Sequence, residues 1–63
     1  MKNLYHLLNK QSDYDTLNNM VVVSDSEDNA LKMIPEPYSS SNFTASLIGY
    51  TDKPLNTIIL QDY

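Results

Sequence analysis

The groups in this 63-residue chain that could do chemistry are one histidine, His6, eight carboxylates, four lysines and five tyrosines, with no cysteine. A general base needs a nucleophile or acid held within hydrogen-bond reach, and the sequence names no such partner for His6. One histidine without a cysteine does not assemble a nucleophile, base and orienting group, so no catalytic residue is assigned and no enzyme is expected. Asp13 and Asp15, and further on Asp25, Glu27 and Asp28, have the oxygen chemistry that hard cations take. Neither set has the central glycine and closing glutamate of an EF-hand loop, and the second is explained by a helix start, so neither a metal nor another cofactor is expected.

The tyrosines are the more informative set. Tyrosine combines apolar area with a hydrogen-bonding tip at small entropic cost, which enriches it at interfaces. Tyr5 and Tyr50 fall in apolar, strand-like stretches and read as half-buried sheet residues, whereas Tyr14, Tyr38 and Tyr63 fall in loops or at the terminus. Tyr14, Tyr38 and Tyr63, with the neighbouring Asp13 and Asp15, are therefore the candidates for contact with a protein partner. An anionic ligand would instead meet Lys10, Lys32 or Lys53 together with the hydroxyl-rich stretch 39–44, which includes Ser40, and stack on a ring such as Phe43.

Charge narrows the partners. A net charge of −4 with no arginine argues against broad contact with a phosphate backbone, so duplex nucleic acid is not an expected partner. The longest apolar stretches, 20–23 and 58–60, fall far short of the roughly 20 residues that cross a bilayer. A cytoplasmic chain without a membrane span is expected.

The element that organises the rest is the passage from Met20-Val21-Val22-Val23 through Ser24 into Ala30-Leu31-Lys32-Met33-Ile34 and Pro35. Three β-branched valines favour a strand, and alanine, leucine and methionine after a polar cap favour a helix. Ser24 is the expected N-cap, with Glu27 returning to its amide as a capping box, so the helix is predicted over residues 25–34 with Lys32 in its last turn. Ala30, Met33 and Ile34 form its apolar stripe, which must pack on a sheet because so short a helix is marginal alone.

Residues 4–8 read as a first strand whose core-facing side is left open, since leucine occupies both faces. Residues 9–19 are a polar connection. Residues 44–50 and 56–61 read as two further strands, and the Thr51-Asp52-Lys53-Pro54 turn between them favours an antiparallel hairpin. The fold class is α+β: one small ββαββ domain over residues 1–63, an antiparallel sheet with one short helix packed on one face. So small a chain buries only about 60% of the surface it exposes when unfolded, and without disulfides its fold must rest on packing, a ligand or a partner, self-association included.

Tyr14-Asp15-Thr16, then Met20 to Ala30, then Pro35, Ile48-Gly49 and the ending 58–60 resemble a group of small phage-encoded proteins. These share a Tyr-Asp-Thr, an apolar strand, a Ser/Glu-rich helix start, an alanine and a closing proline. Where that group often has an arginine after the alanine and a histidine before the proline, this chain has Leu31 and Ile34. The resemblance implies a phage accessory protein without assigned enzymatic chemistry, working in the host cytoplasm. Two functions follow as expectations. The first is a binding protein that inhibits a host protein or defence complex through an acidic, tyrosine-bearing surface. The alternative is an oligomeric sponge that sequesters a signalling nucleotide of host immunity.

Overall fold

The computed structural model describes residues 1–11 and 16–63. The elements run β1 (Lys2–Asn9), β2 (Asn19–Ser24), α1 (Glu27–Leu31), a 3-10 turn (Ser40–Asn42), β3 (Phe43–Thr51) and β4 (Ile58–Asp62). All four strands lie in one sheet in the order β3-β1-β2-β4, and every neighbouring pair is antiparallel. The expected α+β class, a four-stranded antiparallel sheet with one short helix, is therefore what the chain forms.

The side of β1 that faces the core is now fixed. Tyr5, Leu7 and Asn9 are buried, and they stand opposite Val22 and Met20 on β2 and opposite Leu47, Ala45 and Phe43 on β3. The core cluster is Tyr5, Leu7, Leu17, Met20, Val22, Ala30 and Phe43, with Leu31, Met33, Ile34, Tyr38 and Ala45 packed around it. The predicted stripe on α1 and the turn after it thus meets the sheet as expected. The helix packs on β1, β2 and β3. Topology explains why: β2 and β3 run the same way with β1 between them, so the segment joining them must cross the sheet over β1.

The cap is shifted by two residues. Ser24 is still in β2, paired with Asn3 and buried, and its hydroxyl donates to the Ser26 carbonyl at 3.2 Å. Ser26 is extended at φ −156 and ψ 162, and its Oγ accepts from the Asn29 amide at 3.1 Å. Ser26 is thus the N-cap, which places Glu27 at the first helical position, where its carboxylate cannot close a capping box on Ser24. The helix covers Glu27–Leu31, half of the predicted 25–34, and Lys32 is its C-cap. Beyond it the amides of Met33 and Ile34 bond the carbonyls of Ala30 and Leu31, three residues back, so the chain tightens and leaves the helix before Pro35.

The predicted β3–β4 hairpin does not form, because β3 and β4 lie at opposite edges of the sheet. Residues 52–57 cross the end of the sheet, where the Asn56 amide bonds the Val23 carbonyl at 2.8 Å and the Val23 amide bonds the Thr57 carbonyl at 2.9 Å. Asn56 turns the chain with φ 66, a left-handed conformation that asparagine tolerates better than most residues. Between Ile34 and the 3-10 turn the path includes a cis peptide bond at Glu36–Pro37. A hairpin of β3 with β4 would push β1 or β2 to an edge; the observed order keeps both leucine- and valine-rich strands paired on two sides.

Candidate functional site

The two faces of the sheet differ. On the helix side, Asp25, Glu27, Asp28 and Glu36 are all exposed along one twelve-residue segment, with Lys32 the one lysine among them. Asp25 accepts from the Asn29 side chain at 2.6 Å. On the opposite side, strand alternation presents Leu4, His6 and Leu8 from β1, Asn19, Val21 and Val23 from β2, Thr44 and Ser46 from β3, and Leu60 and Asp62 from β4. His6 Nε2 lies 2.9 Å from Asn19 Oδ1. With Nε2–H as the donor, this contact ties β1 to β2 through one side-chain hydrogen bond. Val23 lies outside the helix-side cluster yet is buried, at the end of β2 that residues 52–57 cross.

Each edge strand carries a β-bulge. Between Leu4 and Tyr5 the partner changes from Gly49 to Leu47, leaving Ile48 as the extra residue, and between Val21 and Val22 it changes from Leu60 to Ile58, leaving Ile59. All five residues of β4 are exposed; Leu60, opposite Val21, adds apolar surface to the face away from α1, whereas Ile58, opposite Val22, lies on the helix side.

Of the predicted partner-contact residues, Asp13, Tyr14 and Asp15 lie outside the described residues. Tyr38 is half-buried against the core cluster, so only part of its ring is presented. Tyr63 is open, 64% exposed at the end of the chain, and Tyr50, assigned from sequence to a half-buried position, is 59% exposed.

The five alternative ligand residues are not brought together. Phe43, proposed to stack on a ligand, is 4% exposed inside the core and therefore does not present its ring. Lys10 and Ser40 belong to one end of the sheet, where the Lys10 amide bonds the Asn42 carbonyl at 2.7 Å. Lys53 follows Thr51, the far end of β3 from Phe43. Lys32 stands elsewhere, on a cleft of about 400 Å3 lined by Asp25, Asn29, Met33, Leu55 and Asn56. Asp25 also borders the neighbouring cleft of about 260 Å3, beside Met1, Lys2, Asn3 and Leu55. A carboxylate shared by both clefts disfavours an anionic guest in either. Among the described residues no group of three or more His, Asp or Glu stands together as a metal-holding set.

One structural residue carried no signal in the sequence. Asn9 is buried, donates from Nδ2 to the Leu17 carbonyl at 2.9 Å and accepts at Oδ1 from the Gln11 amide at 2.9 Å. It closes the β1–β2 connection with its own side chain, and only the spatial return of Leu17 reveals it. Among the described residues no helix is long and apolar enough to cross a membrane. Compared with known proteins, the chain matches no family model, no curated protein and no solved structure.

Proposed function

We propose that this chain is a non-catalytic binding module, of the kind phages encode, that occupies a host protein or defence complex in the host cytoplasm. The observation that carries the reading is the helix-side segment on which Asp25, Glu27, Asp28 and Glu36 are all exposed against one lysine. A surface of one sign steers a basic partner to itself and raises its association rate. Tyr63 and the presented part of Tyr38 supply rings of the kind that anchor interfaces, and Tyr14 with Asp13 and Asp15 extends the same chemistry along the sequence. Resemblance to small phage-encoded proteins supplies the setting, by analogy alone.

The test is retention of a host protein on the immobilised chain, followed by measurement of that pair with purified components. Binding is expected to weaken as salt rises from 50 to 500 mM (roughly a Debye length falling from about 14 to 4 Å) and to fall at least about tenfold in Glu27→Lys/Asp28→Lys. Binding indifferent to salt, to that double variant and to Tyr14→Ala and Asp15→Ala would remove the reading. The nucleotide-sponge alternative is less well supported, because its residues stand at separate places and Phe43 is in the core. A thermal-shift panel of cyclic and linear nucleotides tests it directly, since a tight ligand in excess raises stability by several kcal/mol.

A further inference from the structure

We propose that the sheet face opposite α1 packs against the same face of a second copy of this chain, forming a twofold sandwich of two four-stranded sheets. The inference goes beyond the host-binding reading and uses a different surface. Antiparallel sheets that leave one face to water alternate apolar inward with polar outward. Here the outward positions include Leu4, Leu8, Val21 and Leu60, with Leu8 45% and Leu60 48% exposed. The polar groups among them are His6, bonded to Asn19, and the exposed Thr44 and Ser46 of β3, which stand opposite Leu8 and His6; their remaining donors and acceptors must be met by groups of the facing layer or by bridging water.

Charge selects a second copy as the occupant. Among the described residues the charged members of this face are Lys2 on β1, which shares a cleft with Asp25, and Asp62 on β4. Lys2 stands beside Thr51 at one end of the strands, and Asp62 stands beside Asn19 at the other. Opposite charges at opposite ends are self-complementary: a twofold axis between the faces sets each Lys2 on the other copy's Asp62, and does so twice. The bulges at Ile48 and Ile59 select the face over the edges, since a bulge breaks the regular ladder an added strand would need.

Area is sufficient for a modest dimer. Four strands about 4.8 Å apart and about five residues long present a flat footprint of about 330 Å2 per copy, which reaches the low end of stable interfaces only where side-chain relief and the strand ends add to it. That is a small share of the 4046 Å2 surface of one copy.

Sedimentation velocity on the purified full chain, from about 5 to 500 μM, tests this without any host component, so its outcome is independent of the host-binding reading. The expected result is a concentration-dependent shift from a 7.2 kDa particle to twice that mass. Leu8→Lys and Leu60→Lys, both at positions exposed in the single copy, are expected to weaken the dimer by roughly tenfold or more while the far-UV circular dichroism is unchanged. Because each lowers the net negative charge, the loss cannot come from added repulsion between acidic copies. Lys2→Asp and Asp62→Lys alone should each weaken it, and the double swap should restore it. A monomer at every concentration overturns the proposal and leaves the face to another partner; a dimer indifferent to Leu8→Lys and Leu60→Lys overturns it as well.

Discussion

Two serines two residues apart divide the work at the start of α1. Ser24 ends a strand and turns its hydroxyl inward to the Ser26 carbonyl; Ser26 caps the helix through the Asn29 amide. Their chemistry is identical, so the sequence cannot rank them. What separates them is the pairing of Ser24 with Asn3, a contact between residues 21 apart in the chain that no local pattern contains. Ser26→Ala should lower stability by about 1 kcal/mol, the usual cost of a lost cap, read as a shift in urea midpoint at constant slope. Glu27→Gln should leave the midpoint nearly unmoved, because Glu27 is exposed and closes no box. A large effect of Glu27→Gln with none from Ser26→Ala would restore Ser24 as the cap. Asn9 is the costlier single residue. Asn9→Ala removes partners from the Leu17 carbonyl and the Gln11 amide together, and should cost about 1–3 kcal/mol.

The elements were legible wherever side-chain type alone decides. Valines at 21–23 made a strand, the apolar positions after Ser26 made a helix that packs on the sheet, and the four strands fall where the alternation placed them. Pairing was not legible, because a turn signal at Thr51-Asp52-Lys53-Pro54 fits a hairpin and a crossing link equally well. The crossing is favoured by tertiary terms: it pairs β1 and β2 on both sides and gives Val23 its last two backbone hydrogen bonds. The bulges at Ile48 and Ile59 were invisible for the same reason, since a bulge is defined against a partner strand. The candidate contact surface was read by residue type, which found exposed Tyr63 but also chose Phe43, whose burial is set by packing with β1 and Leu17. Asn56 is the point where the link can be tested. With φ at 66, Asn56→Gly should hold or slightly raise the melting temperature, whereas Asn56→Val should cost about 1–2 kcal/mol, since a β-branched side chain resists that conformation. If both variants melt alike, the link does not need the turn.

At the scale of the whole molecule, the helix covers β1, β2 and β3 on one face, whereas on the other face Val23 is buried at one end and Leu8 and Leu60 stand about half exposed. A chain of this length has on the order of 3–9 kcal/mol of stability in total. Leu7→Ala, at a fully buried position between β2 and β3, should cost about 2–5 kcal/mol and leave the chain largely unfolded at 37 °C by circular dichroism. Leu60, half exposed on the edge strand, has no comparable role within one copy, and Leu60→Ala should cost well under 1 kcal/mol at low micromolar concentration. Concentration separates the two kinds of residue. If two copies share the uncovered face, the melting temperature of the unchanged chain should climb by roughly 3–5 °C for each tenfold rise in concentration above the dissociation constant. Leu60→Lys should begin its climb only at concentrations roughly tenfold or more higher, melting below that at the temperature of the unchanged chain at its most dilute. Leu7→Ala should keep the slope while lying lower everywhere, because its loss is inside each copy. Melting curves of all three that share one slope would place the missing layer somewhere other than a second copy.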